Sequence, residues 1–167
     1  MHLAVASIIA SLVACRHDAG EPGPNVQSSD PAVRAVSPSR DVTPLLARLA
    51  YEAQHRTAVG LPAERVLDAL DREKLRIIER KQFLGEVVHA RYCLGGRTEA
   101  GLAIAACEYE DPVAAGAGKE LMDRRFSAMS PWARRSVHGA IVLTIADPSG
   151  VAHDEIAAHA FEVFAAL

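Results

Sequence analysis

Apolar residues from residue 43 onward recur first with a helical period. Thr43 and Pro44 predict a helix start, because threonine caps helix N-termini and proline lacks only an N–H that the first turn leaves unbonded. The predicted helix ends near Gly60 and has an apolar stripe of Leu45, Leu46, Leu49 and Ala53. A second helix is predicted over residues 62–82, with an inward face of Val66, Leu67, Leu70, Ile77 and Ile78.

The period then changes from 3.6 to two residues, which is typical of strands. Residues 87–94 alternate between an apolar and a mixed face, and residues 102–109 alternate again after a glycine-rich turn at 95–101. Residues 134–137 and 140–146 predict a second hairpin around the tight turn His138-Gly139.

Two more helices complete the pattern: one begins at Asp111-Pro112 and ends at Phe126, and the other covers about residues 153–167. The order ααββαββα predicts an α+β fold, with two N-terminal helices and then a three- or four-stranded antiparallel sheet with helices on one face. Three strands remain if residues 134–137 form a loop. Residues 43–167 are predicted to form a single domain.

The N-terminus has a different pattern. Residues 3–14 are uncharged and mostly apolar, a run shorter than the ~20 helical residues that cross a bilayer but suited to a signal peptide. The run ends in Leu12-Val13-Ala14-Cys15. Over residues 1–15, the chain resembles a bacterial lipoprotein signal peptide with its lipobox. The resemblance implies that residues 1–14 are removed and that Cys15 is lipidated.

Residues 15–42 would then be the lipidated cysteine and a tether. Glycine and proline are frequent in this segment and apolar residues have no period, so it is predicted to be disordered, with a reach of roughly 30 Å. The alternative interpretation of the apolar run before Cys15 is a buried N-terminal helix or strand that happens to end in cysteine. Arg16, where an aspartate would favour the inner membrane, predicts an outer-membrane location facing the periplasm.

Composition narrows the partners. The chain has a formal net charge of -3 with 23% charged and 5% aromatic residues, so no nucleic acid partner is expected. The expected partners are the membrane, through the lipid anchor, and another envelope protein. A cluster of arginines could meet anionic lipid headgroups or an acidic partner, although a solvated surface is favoured; its members are Arg124, Arg125, Arg134 and Arg135.

Cys93 and Cys107 remain after Cys15 is assigned to lipidation. Both side chains are predicted to point away from the core face on neighbouring strands. An exported protein reaches an oxidising compartment, so a disulfide between them is favoured. Two free thiols are one alternative, and a metal site with His89 is another. No metal site is predicted, because no fourth ligand is apparent.

No catalytic residue and no cofactor is predicted. Residues 115–120 are similar to a phosphate-binding loop but lack the Ser or Thr after the lysine and fall inside a predicted helix. The sequence therefore favours a lipid-anchored envelope protein with a non-catalytic binding or structural domain. The alternative is an envelope enzyme with a scattered active site, which a deep pocket gathering His89, Arg91 and Glu108 or nearby acids would support.

Overall fold

The computed structural model describes residues 39–56, 60–149 and 154–167. In these ranges the helices are α1 (Ser39–Gln54), α2 (Ala63–Arg72), α3 (Pro112–Phe126) and α4 (Asp154–Ala165). The strands are β1 (Ile77–Phe83), β2 (Tyr92–Thr98), β3 (Ala103–Glu108), β4 (Arg134–His138) and β5 (Ile141–Ala146), and a 3₁₀ segment covers Gly85–Val88. None of the described helices is both long and apolar enough to span a bilayer.

The strands form one antiparallel sheet in the order β1-β2-β3-β5-β4. The predicted α+β class, with helices packed on an antiparallel sheet, is confirmed. Both predicted hairpins are present as β2–β3 and β4–β5, and Gly139 adopts a φ of +56° in the second turn. The sheet has five strands because β1 adds one at the edge.

Strand β1 replaces the second half of the helix predicted over residues 62–82. Helix α2 ends at Arg72, where the Leu75 amide donates to the Leu70 carbonyl and the Lys74 amide donates to the Asp71 carbonyl. These two bonds form a Schellman motif, whose left-handed position is usually glycine. Here Lys74 occupies it with a φ of 67°, so the sequence lacks the expected stop signal.

The helices lie on both faces of the sheet rather than on one. Helices α2 and α4 cover a core that includes Val66, Leu67, Leu70, Ile104, Leu143 and Phe164. Helix α3 and the 3₁₀ segment cover a second core of Val88, Ala90, Cys93, Cys107, Tyr109, Ala115, Met122 and Val142. The second core is rich in small side chains, and the sequence pattern therefore placed that face in solvent.

The turn of the first hairpin occupies the end of the predicted segment 95–101. Gly95 and Gly96 belong to β2, and the turn contains Glu99, Ala100 and Gly101, with a φ of 88° at Gly101. A β-carbon on Gly95 would lie 2.2 Å from the Ile104 carbonyl oxygen. Glycine is needed there for close approach of the chains and not for a turn.

Helix boundaries agree best at α3, where the Asp111 carboxylate accepts from the Ala114 amide at 2.7 Å as an N-cap. Helix α1 starts at Ser39, inside the segment predicted as tether, and contains Pro44. Thr43 is therefore a helical residue and not the predicted cap. The predicted signal peptide and most of the tether lie outside the described residues.

Candidate functional site

A cleft of about 620 Å³ lies between α1 and the segment that leads from the 3₁₀ turn into β2 and α3. Helix α1 forms one wall with Ala47, Arg48, Tyr51, Glu52 and His55. The other wall consists of Glu86, His89, Ala90, Arg91, Glu110 and Ala114. We call this the α1 cleft.

Helix α1 is held in place by polar contacts. The Glu52 carboxylate accepts from the amides of Gly85 and Glu86, both at 2.9 Å, and so caps the 3₁₀ segment. The Gln82 side chain donates to the Leu49 carbonyl at 2.8 Å. Leu46 and Tyr51 remain about 60% exposed. The cleft wall is therefore positioned by hydrogen bonds rather than by a continuous apolar core.

Two ion pairs border the cleft. Arg48 lies 3.4 Å from Glu86, and Arg91 lies 2.6 Å from Glu110. All four side chains are more than half exposed, so each pair contributes at most about 1 kcal/mol to stability. A ligand can displace such pairs at low energetic cost.

Three ring side chains line the cleft. Tyr51 and His55 are stacked with centroids 3.9 Å apart, and the His55 Nδ1 hydrogen-bonds the Tyr51 carbonyl at 2.8 Å. His89 ends the 3₁₀ segment with a φ of 59°. Positive φ is uncommon for a residue other than glycine and often marks a functional position.

Glu108 does not join His89 and Arg91 in the cleft. Its side chain is fully buried and accepts from the Ala63 amide at 2.7 Å and from the Arg56 Nε at 3.1 Å. Arg56 also forms a two-pronged pair with Glu64, with both distances 2.7 Å, and covers the Tyr92 ring at 3.9 Å. We call Arg56, Glu64 and Glu108 the buried network, after the buried Glu108; the Glu64 side chain lies at its edge and is 42% exposed.

Charge pairing in the network shifts its ionisation. The hydrogen bonds from Arg56 hold the pKa of Glu64 below its ordinary value despite partial burial. Hydrogen bonding to Glu64, with a further contribution from Glu108, raises the pKa of Arg56 against the opposing effect of burial. Burial raises the pKa of the adjacent Tyr92. The network joins the approach to α2 to strand β3.

Cys93 and Cys107 form the predicted disulfide, directly opposite each other on β2 and β3 with their Cα atoms 4.1 Å apart. Their location differs from the prediction, because both are buried beneath α3 with exposures of 2% and 5%. Their sulfurs are bonded to each other, so the alternatives of free thiols and a cysteine metal site do not apply. Cys15, the predicted lipidation residue, lies outside the described residues.

The predicted arginine cluster is divided. The Arg135 side chain is 6% exposed and donates to Asp123 at 2.8 Å. Burial raises the pKa of Asp123, but its contacts with Lys119 and Arg135 outweigh burial and lower it. Arg134 pairs with Asp154 at 2.5 Å at the surface. Arg125 donates to the Val87 carbonyl at 3.2 Å. The cluster is therefore part structural and part exposed.

The α1 side of the cleft and the buried network were not predicted from the sequence. The network had a signal, since Glu108 falls in register with Leu102, Ile104 and Ala106 on an apolar strand face, where an unpaired carboxylate would be very unfavourable. Tyr51, Glu52 and His55 had no signal apart from their position on a helix.

Across the described ranges, no three His, Cys, Asp or Glu side chains are grouped as metal ligands. No protein-family model, curated protein or solved structure matches this chain. The geometry of the cleft and the N-terminal sequence are therefore the features that bear on function.

Proposed function

We propose that this chain is a lipid-anchored protein of the cell envelope, acylated at Cys15, whose domain binds another envelope component in the α1 cleft. The lipobox resemblance supports the anchor and an outer-membrane location facing the periplasm. The Cys93–Cys107 disulfide is consistent with an oxidising compartment. The domain acts by binding and not by chemical conversion.

The hydrogen bonds and ion pairs made by the carboxylates of the cleft favour binding over catalysis. Glu52 is engaged by two backbone amides, Glu86 by Arg48, and Glu110 by Arg91. A carboxylate that acts as general base must have an oxygen directed at the substrate proton. Here the Glu52 carboxylate is held by two backbone amides, and the Glu86 and Glu110 carboxylates face arginines when no ligand is bound.

The rest of the lining supports recognition by contact. The Tyr51–His55 stack offers an aromatic surface, and three alanines add small apolar side chains to the walls. The exposed arginine–glutamate pairs can exchange their partners for charged groups of a ligand. A cleft of this kind suits a folded or extended polypeptide segment with both apolar and charged side chains.

Site-specific photo-crosslinking in cells tests the proposal. A photo-reactive amino acid replaces Ala47, which lines the cleft, or Ala158, which is also exposed but lies on α4 outside the cleft. We expect a discrete crosslinked species from position 47 that is absent from position 158. The species should disappear in Glu110→Trp, which fills the cleft, and remain in His159→Trp. Equal crosslinking from both positions would contradict the proposal.

A second candidate is an envelope enzyme, favoured because the cleft brings His89 and Arg91 together with the nearby acidic residues Glu86 and Glu110. An imidazole can act as general base or nucleophile without a carboxylate partner. The test is hydrolysis of chromogenic ester and amide probes by the purified chain, with His89→Asn as the variant. Turnover that requires His89 would replace the binding proposal with an enzymatic one.

A further inference from the structure

The loop between α3 and β4 exposes two large apolar side chains outside the α1 cleft. Met129 is 72% exposed and Trp132 is 58% exposed. We call residues 127–133 the Trp132 loop. Neither side chain lines the α1 cleft, so the proposed binding function does not account for them.

The loop holds these side chains in a fixed conformation. The amides of Met129 and Ser130 both donate to the Phe126 carbonyl, at 3.1 and 2.9 Å, and the Ala133 amide donates to the Ser130 carbonyl at 3.0 Å. Consecutive turns of this kind order the backbone without burying the side chains. The exposure of Met129 and Trp132 is therefore a property of an ordered loop.

Arginines flank the loop on both sides. Arg124 and Arg125 occupy the last turn of α3, and Arg134 is the first residue of β4. The contacts of Arg124 with Glu120 at 3.5 Å and of Arg134 with Asp154 are more than half exposed. Arg125 bonds a backbone carbonyl, which leaves its charge uncompensated by that contact. These cations are accessible to an anionic surface.

We propose that the Trp132 loop docks into the headgroup region of an anionic bilayer, which rests on the lipid anchor proposed above. Tryptophan favours the membrane interface, and arginines beside it bind lipid phosphates. Two protruding side chains are far too few for a stable protein interface, which buries about 800 Å² on each partner. A weak bilayer contact suffices, because the anchor keeps the domain at high effective concentration near the membrane.

Trp132 is the only tryptophan in the chain, so its fluorescence reports on the loop directly. The lipidated full chain is reconstituted into vesicles of phosphatidylcholine alone or mixed with phosphatidylglycerol, with brominated acyl chains as quenchers. We expect blue-shifted emission and quenching on the phosphatidylglycerol vesicles, with weaker effects on phosphatidylcholine alone.

Single substitutions test whether membrane docking depends on the Trp132 loop or on other parts of the surface. Each of Arg124→Gln and Arg125→Gln should lower the ratio of docked to free Trp132 by about fivefold, since each arginine contributes about 1 kcal/mol near an anionic membrane. Met129→Asp should abolish the quenching. Val113→Asp is the matched control, because Val113 is 81% exposed at the other end of α3.

Flotation of the vesicles separates failure of the anchor from failure of the loop. A chain that floats with the vesicles, but whose Trp132 emission stays red and is not quenched by brominated lipid, would overturn the proposal. The proposal is also overturned if, in such a chain, an added acidic envelope protein shields Trp132. If the chain does not float, the anchor is absent. Vesicles are then added in large excess to the chain in solution, so that even a weak contact is populated. Quenching supports the loop contact, and unchanged emission rejects it.

Discussion

The buried network and the α1 cleft pair the same residue types, arginine and glutamate, at opposite exposures to solvent. In the network, the Glu108 side chain is 1% exposed and that of Arg56 is 25% exposed, while Glu64, at its edge, is 42% exposed. At the cleft, the side chains of Arg91 and Glu110 are 52% and 64% exposed. Glu108 and Glu110 are separated by a single residue, yet one carboxylate is buried in the core and the other is exposed at the cleft.

The solvent exposure of an ion pair decides whether it stabilises the fold or is available to bind a ligand. A buried carboxylate must keep its partners, because an unpaired charge in the interior is strongly unfavourable. An exposed pair is screened by water and can be exchanged for a ligand. The network therefore fixes the domain, whereas the cleft pairs are available for recognition.

The largest expected effect comes from breaking the network. Arg56→Ala should lower the free energy of unfolding by about 3–5 kcal/mol, because it leaves the buried Glu108 carboxylate without its cation. Arg91→Ala, which breaks the exposed pair, should lower it by about 1 kcal/mol or less. Urea denaturation of both variants measures the difference. Similar losses would remove the distinction between the two regions.

The disulfide extends the comparison to the other face of the sheet. Reduction of Cys93–Cys107, which are 14 residues apart, should lower the free energy of unfolding by about 3 kcal/mol through the entropy of the closed loop. The Cys93→Ala/Cys107→Ala double variant should show the same loss and no further change on reduction. Two titratable thiols in the denatured, unreduced wild type would contradict the bond.

Tyr109 gives an alkaline test of the second core. Burial raises the pKa of Tyr109 from 10.0 to about 12, so the folded state retains its proton over a pH range in which the unfolded chain loses it. Its contribution to stability is complete below pH 10 and is lost as the pH rises towards 12. Tyr109→Phe should remove much of this alkaline loss, while Tyr51→Phe, at an exposed position, should keep it.

The smallest effect is an acid one in the network. Because Arg56 lowers the pKa of Glu64, the contribution of Glu64 is present above its ordinary pKa of 4.5 and is lost as the pH falls through the lower folded-state value. The stability difference between wild type and Glu64→Gln should therefore shrink below about pH 4.5. A difference that is constant with pH would show that the pair is not maintained by charge.

Local sequence signals predicted those parts of the fold that depend on local chemistry. Asp111 caps α3, Gly139 turns the second hairpin, and Cys93 lies opposite Cys107 as the register required. Strand β1 was missed because Lys74 takes a position that glycine usually marks. The second core was missed because its small residues do not form an apolar pattern.

The cleft could not be predicted for a related reason. Its two walls come from α1 and from residues 86–114, and they meet through side-chain bonds such as that from Glu52 to the 3₁₀ segment. Contacts between segments far apart in the chain leave no periodic trace in the sequence. His89 and Arg91 were noticed only because they precede Cys93.

Lipidation of Cys15 is the central claim, and comparison of wild type with Cys15→Ser tests it most directly. Both chains are expressed in a bacterial host, the cells are separated into soluble and membrane fractions, and the mature N-terminus is identified by mass spectrometry. We predict a wild-type chain that begins with an acylated Cys15 and is bound to the membrane, because two or three acyl chains anchor a protein stably. We predict that the Cys15→Ser chain carries no acyl group. An unmodified Cys15 in a wild-type chain that fractionates like the variant would contradict the account.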